Sequence, residues 1–236
     1  SFEELGVAHV DDKLNIDFSS YPLANKIYAC AHLEANCDEQ FIVFLDSDQV
    51  LLQEPWEFEL SQEEDVAISN VAIKGIGTDG TDENAHYWSG LYELLKVEEP
   101  PKMKTQSGKD ILPYYNSGMV ISRRDKQLFT HWLSNFEKLM SSDVRPEGGD
   151  FFLEQSCLSA TISQLELQVK ELPHQYNFHF LEHEDYLPPL KDIKLDQLVS
   201  VHYHKTFQSM DRLRQSSFLP LLKGKKWNWV RKELEN

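Results

Sequence analysis

Phe41-Ile42-Val43-Phe44-Leu45 is an unbroken apolar run that stops at Asp46-Ser47-Asp48. Five such residues make a strand, and continuous rather than alternating apolarity fits a central strand buried on both faces. Such a strand needs a layer on each side, and the rest of the chain supplies candidates. Residues 22–37 read as a helix, with Pro22 near its first turn and Leu23, Ile27, Cys30, Ala31 and Leu33 on one face. Residues 66–69, 118–122 and 198–204 read as further strands, and residues 124–140 and 150–164 as amphipathic helices. Turn-rich residues 74–84 and 99–110 read as loops. The alternation predicts an α/β fold with a mainly parallel central sheet flanked by helices. No repeat, low-complexity tract or long linker interrupts residues 1–236, which are expected to form one domain with residues 206–236 as a helical tail.

The formal charge of −16 makes the chain a poor partner for nucleic acid or anionic membranes through its overall field. An anionic ligand must then be met by local cations or a metal ion. No apolar run approaches the roughly 18 residues of a membrane span, and the acidic start is not a signal peptide. The first residue is Ser rather than Met, as expected of a processed chain or a fragment. Cys30, Cys37 and Cys157 form no CxxC pair and read as reduced, buried side chains, which leans towards the cytoplasm.

Asp46 and Asp48 hold the main chemical signal. Residues two apart on a strand point to one side, so carboxylates at a strand's C-terminal end can share one crevice, where open α/β sheets bind ligands. Two adjacent carboxylates repel unless a cation lies between them or one is protonated. Oxygen ligands at this spacing suit Mg²⁺ or Mn²⁺, either of which could hold a diphosphate. The plainer alternative is that Asp46 opens a turn and Asp48 caps the next segment. In Val199-Ser200-Val201-His202-Tyr203-His204-Lys205, strand alternation puts His202 and His204 on one face, and Lys205 could meet a phosphate oxygen. An imidazole added to two carboxylates makes a site that Mn²⁺ accepts well. Asn116-Ser117-Gly118 is turn chemistry or a sugar-hydroxyl contact, and Glu154-Gln155 is a first-turn acid pair or a polyol-recognising pair.

Together these segments resemble the metal-dependent GT-A glycosyltransferases, in particular the retaining branch that contains glycogenin and the lipopolysaccharide galactosyl- and glucosyltransferases. The order carries the likeness: Asn25-Lys26, Asp46-Ser47-Asp48, Glu54-Pro55, Tyr115-Asn116-Ser117-Gly118, Glu154-Gln155, Leu172-Pro173 with Tyr176-Asn177, and Val201-His202-Tyr203. It covers about residues 21–207. The resemblance implies that Asp46, Asp48 and His202 hold Mn²⁺ or Mg²⁺ and that Lys26 contacts a nucleotide-sugar donor, UDP-linked above all. It further implies that Asn116 contacts the transferred sugar, that Lys205 approaches the diphosphate, and that Glu154 and Gln155 lie near the anomeric carbon. The reaction implied is hexose transfer to an acceptor hydroxyl with retention. Three departures stand out. Only Glu4 to Asp12 remains ahead of the first helix, so the family's first strand–helix unit is not expected. Glu-Gln replaces the usual Asp-Gln. The family's late Gly and Lys-Pro-Trp are missing.

Two other readings are compatible with the same residues. Phe44-Leu45-Asp46-Ser47-Asp48-Gln49-Val50 also matches the signature of haloacid-dehalogenase-type phosphatases, with Asp46 as nucleophile. A degenerate, non-catalytic member of the glycosyltransferase fold is the other.

Overall fold

The apolar run at Phe41 is a strand in a computed structural model that describes residues 3–98, 100–179, 194–203 and 224–235. In chain order the main elements are α1 (Ala24–Asn36), β1 (Phe41–Leu45), β2 (Gln49–Leu51), β3 (Val66–Asn70), α2 (Ala85–Leu95), β4 (Met103–Lys104), β5 (Asp110–Ile111) and β6 (Tyr115–Arg123). Then come α3 (Leu128–Met140), α4 (Leu153–Gln164), β7 (Val169–Glu171), β8 (Phe178–His179), β9 (Ser200–His202) and α5 (Lys225–Glu235). Ahead of β1 the described residues hold a 3₁₀ turn at Glu3–Leu5 and α1, and no strand.

The main sheet has the order β1-β6-β3-β7, so among the described residues β1 is an edge strand and not the central, doubly buried one expected. Only its Ile42 is buried and Val43 is exposed, its apolar run being set by the covering it receives at the edge of the sheet. β1, β3 and β7 all point the same way, as a mainly parallel sheet requires. Yet β6 lies reversed between β1 and β3, so two of the three pairings are antiparallel and only β3·β7 is parallel. β6 explains its own central place by alternation: Val120 faces the large core, while Met119 and Ile121 face a smaller one with Leu60, Leu172 and Tyr176. The large core lies between this sheet and the helices, filled by Trp88, Trp132, Phe129 and Phe136.

Helix α1 packs on α3, and the buried Glu34 carboxylate ties the two together. It accepts the Phe129 N–H at 3.2 Å and the Thr130 N–H at 2.7 Å, donors that the start of α3 would otherwise leave orphaned. The helix expected over residues 124–140 is broken at Gln127, whose φ of 52° is left-handed, into a 3₁₀ turn and α3. The helix expected over 150–164 begins as a 3₁₀ turn, and α4 itself is not amphipathic: every residue from Leu153 to Ile162 is buried. Its small hydroxyls make this possible by closing on their own helix's carbonyls, Ser159 on Gln155 at 2.9 Å and Thr161 on Cys157 at 2.8 Å. The loop expected over residues 99–110 carries a small hairpin, β4·β5.

A second sheet, β2-β9-β8, sits at the end of β1. Its register sets the site: Gln49 pairs with His202 antiparallel, and His179 pairs with His202 parallel. The described part of the basic tail is the helix α5, whose Lys226 ammonium donates to the Asp196 and Leu198 carbonyls at 3.1 and 3.0 Å. No helix among the described residues is long and apolar enough to cross a membrane.

Candidate active site

The two carboxylates converge for a different reason from strand alternation. β1 ends at Leu45, and Asp46-Ser47-Asp48 is a tight turn in which the Gln49 N–H donates to the Asp46 carbonyl at 3.1 Å. The turn hands the chain from the main sheet to the second one, and β9 then brings His202 alongside. The Asp46 N–H is fixed on the Gly118 carbonyl at 2.8 Å, and the Tyr203 N–H on the Asp48 carbonyl at 3.1 Å. Turn formation and ligand convergence, alternatives from sequence, are therefore the same structure.

His202 is buried, with Nε2 2.9 Å from Asp48 Oδ1 and 3.8 Å from Asp46 Oδ2. One ligand atom from each of Asp46, Asp48 and His202 lies within 4.8 Å of the others. Two carboxylate oxygens and an imidazole nitrogen at this spacing fit a divalent cation such as Mn²⁺. Gly118 makes the approach possible. A Cβ there would meet His202 Cε1 at 2.6 Å and Asn116 Oδ1 at 2.9 Å, closer than real contacts permit.

Lys26, from α1, bridges the metal-ligand candidates to the acid of α4. Its Nζ is 3.0 Å from Asp46 Oδ1 and 3.2 Å from Glu154 Oε1, and it donates to Ser117 Oγ at 3.3 Å. The Ser117 hydroxyl donates to Glu154 Oε1 at 3.0 Å, whereas the buried Oε2 of Glu154 has no hydrogen-bond partner among the described residues. Burial pushes the Glu154 carboxyl above the ordinary carboxylate range, and Lys26 and Ser117 offset this only in part. Burial alone would lower the Lys26 ammonium, but Glu154 and Asp46 outweigh it and hold it above its usual value. The Glu154 backbone is anchored as well. Its N–H donates to the Tyr21 hydroxyl at 3.3 Å, which in turn donates to the Phe151 carbonyl at 2.9 Å. Gln155 Oε1 accepts from the Ser117 N–H at 3.3 Å and from Asn116 Nδ2 at 3.4 Å.

These groups line one cavity of about 570 Å³, whose rim carries Phe151 and Phe152, packed edge to face. Of the residues proposed from sequence, Lys26, Asp46, Asp48, Asn116, Glu154, Gln155 and His202 all border it. Lys205 and His204 lie outside the described residues. From sequence, Ser117 reads only as part of a turn, and Gln49 carries no signal of its own. His179 reads there as structural, yet its ring lies 4.8 Å from that of His202 and lines a neighbouring, more apolar cavity of about 300 Å³. A buried histidine beside a candidate ligand is invisible in the sequence because 22 intervening residues hide the β8·β9 pairing. All three cysteines are free; Cys30 and Cys157 are buried as expected, whereas Cys37, just past the end of α1, is only half-buried.

Residues 1–166 match the family model described as a Rhodobacterales glycosyltransferase domain. No curated protein matches the chain. Among solved structures, the glycosyltransferase GlyE of Streptococcus pneumoniae TIGR4 is 17% identical with a TM-score of 0.47, over 96% of this chain and 47% of that one. Mouse xyloside xylosyltransferase 1 is 13% identical with a TM-score of 0.43, over 81% of this chain and 67% of that one. The galactosyltransferase LgtC, solved with donor and acceptor sugar analogs, is 12% identical with a TM-score of 0.46, over 94% and 69%. The chain thus spans less than half of the GlyE chain.

Proposed function

We propose, for a chain that belongs to the Rhodobacterales glycosyltransferase domain family, that it moves a hexose from a nucleotide-diphosphate sugar to an acceptor hydroxyl with a divalent cation, Mn²⁺ or Mg²⁺, on Asp46, Asp48 and His202. The observation that carries this reading is the meeting of three ligand-type side chains with a buried acid in one cavity, on a member of that family. The same reading takes residues 1–236 as one glycosyltransferase domain. Membership of a glycosyltransferase family displaces the phosphatase alternative.

When bound, the cation supplies positive charge against the diphosphate as it leaves. The chain's own groups do the rest. Lys26 is held charged between Asp46 and Glu154, where it opposes charge developing on the donor's phosphates. Asn116 offers the transferred sugar the Nδ2 proton not directed at Gln155, because its oxygen already accepts from the Gly118 N–H and from Asn177. Glu154 and Gln155 lie near the anomeric carbon, Glu154 with Oε1 bound and Oε2 unpaired, which suits stabilising positive charge on the sugar. Phe151 and Phe152 offer apolar faces on which a sugar ring or base can stack. Retention at the anomeric carbon and a UDP-linked donor complete the proposal.

The test is donor hydrolysis and transfer across a panel of nucleotide sugars, with and without Mn²⁺, beside calorimetric titration of UDP. Asp48→Asn should lower the cation-dependent rate at least about 100-fold, the scale of losing a stabiliser of transition-state charge, with the thermal midpoint unchanged. Near-normal turnover in that variant would refute the ligand assignment. Tight UDP binding without hydrolysis or transfer on any donor would instead favour a non-catalytic binding module.

A further inference from the structure

Asn177 takes no part in the chemistry just described, yet it is wholly buried beside His202. Four hydrogen bonds decide which way its amide points. The Gly118 backbone N–H donates to Asn116 Oδ1 at 2.9 Å, so that atom is an acceptor, and Asn177 must present its Nδ2 to it, at 2.8 Å. The amide nitrogen of Gln49 is fixed in the same way by the Gly118 carbonyl at 3.1 Å, and it donates to Asn177 Oδ1 at 2.6 Å. Both backbone groups of Gly118 thus orient Asn177 Oδ1, which faces His202 Nδ1 at 3.1 Å. An amide oxygen only accepts, so Nδ1 must carry a proton. A ring flip would put carbon against Asn177 Oδ1 and against Asp48.

We propose that Asn177 is a positioning residue that locks His202 as the Nδ1–H donor and thereby turns the lone pair of Nε2 towards Asp46 and Asp48. The proposal rests on the reading of these three residues as ligands. Histidine ligands gain both orientation and basicity from a partner on the second nitrogen, and losing that partner typically weakens metal binding by about 10–100-fold. The sequence also has a separate reason for Asn here. Residue 177 has a φ of 49°, a left-handed backbone that Asn tolerates better than most side chains. A merely conformational role must therefore be separated from the positioning one.

Asn177→Gly does so, since Gly adopts this backbone without strain while the side chain that carries the amide is lost. Mn²⁺ binding to the full chain, followed by electron paramagnetic resonance, should weaken by about 10–100-fold in Asn177→Gly. The second readout is the long-range proton–nitrogen correlation spectrum of the histidine-labelled wild-type chain, metal-free and with Mg²⁺, with His202 assigned by its absence in His202→Gln. The expected spectrum has a proton on Nδ1 of His202 that exchanges slowly with solvent, and faster exchange in Asn177→Gly. A bare Nδ1 in the wild type overturns the proposal, as does wild-type affinity in Asn177→Gly. If Asn177→Gly fails to unfold cooperatively, the wild-type spectrum decides alone. If the wild-type chain binds no Mn²⁺, the ligand reading fails while the metal-free spectrum still judges the tautomer.

Discussion

Replacing Lys26 with Met tests whether the site is held by charge or by packing. The Lys26 ammonium lies 3.2 Å from Glu154 Oε1, with both side chains nearly buried. At an effective dielectric of about 20, that separation is worth roughly 5 kcal/mol of attraction, most of it offset by the several kcal/mol needed to dehydrate each ion. The intact pair is therefore close to neutral. Removing one partner is not, because Glu154 would keep its dehydration and retain only Ser117 as a donor. Such losses run to about 3–5 kcal/mol.

Glu154 has one escape, which is to take up a proton, and that sets a ceiling with a definite pH dependence. From an ordinary glutamic value of about 4.3, protonation costs about 4 kcal/mol at pH 7 and about 1 kcal/mol at pH 5. Burial already raises this carboxyl in the native chain, and losing Lys26 raises it further. The folded variant would then hold a proton that the unfolded chain has released. Its unfolding free energy must fall as pH rises above the ordinary glutamic range, by up to about 1.4 kcal/mol per unit. Urea unfolding followed by the fluorescence of the buried Trp88 and Trp132 gives the measurement. Lys26→Met should lose about 3–4 kcal/mol near neutral pH and about 1 kcal/mol near pH 5, and adding Glu154→Gln should remove the slope. A Lys26→Met loss under about 0.5 kcal/mol at neutral pH, or one that ignores pH, would refute the coupling.

Gly118→Ala should displace the His202 ring, since the added Cβ would meet Cε1 at 2.6 Å. It is expected to lower stability by about 1–3 kcal/mol and weaken Mn²⁺ binding, both read from thermal shift with and without the ion. Asp65 sits far from the site, where burial pushes its carboxyl up but the Gln168 N–H at 2.9 Å and Lys126 at 3.0 Å pull it net below the usual range. A lowered acid stabilises above its unfolded value and loses that stability as pH falls. Asp65→Asn should therefore cost about 1–2 kcal/mol in urea unfolding near neutrality, and progressively less in acid. Burial raises the Cys30 and Cys157 thiols, so both should resist alkylation until the chain unfolds, as mass spectrometry of iodoacetamide-treated protein would show.

The parts of this fold that sequence reveals are those whose signal is local. β1 ends at Leu45 because the apolar run ends there, and α1 buries Ile27, Cys30 and Ala31 of the apolar face read from sequence, although Leu33 of that face is exposed and Glu34 is buried instead. Helix α2 (Ala85–Leu95) is not evident from sequence, although Tyr87, Trp88, Leu91, Tyr92 and Leu95 share a buried face. Its aromatic residues favour strand and helix too evenly for propensity to decide, and the packing of Trp88 against Tyr92 and Tyr114 settles it. Helix α4 misleads in the opposite sense. Its serines and threonine look like a solvated stripe, and only their bonds to the preceding turn's carbonyls let the helix be buried all round.

The site divides along the same line. Asp46, Asp48 and His202 are legible because carboxylate and imidazole in a strand context carry chemistry in their residue types. What fixes them is not, because it depends on register. Gln49 faces His202 only once β2 pairs with β9, and Asn177 reaches the imidazole only once β8 lies parallel on the other side. Lys26 illustrates the difference in consequence. Read alone, it is a helical lysine awaiting a phosphate. Placed between Asp46 and Glu154, it is the cation that allows an acid to be buried beside a metal-ligand set, so any donor phosphate it meets must share it with two carboxylates. On the proposed reading, electrostatic work at this site would be divided between a bound cation and one already committed lysine, and the cation would have to supply most of the charge that a departing diphosphate demands.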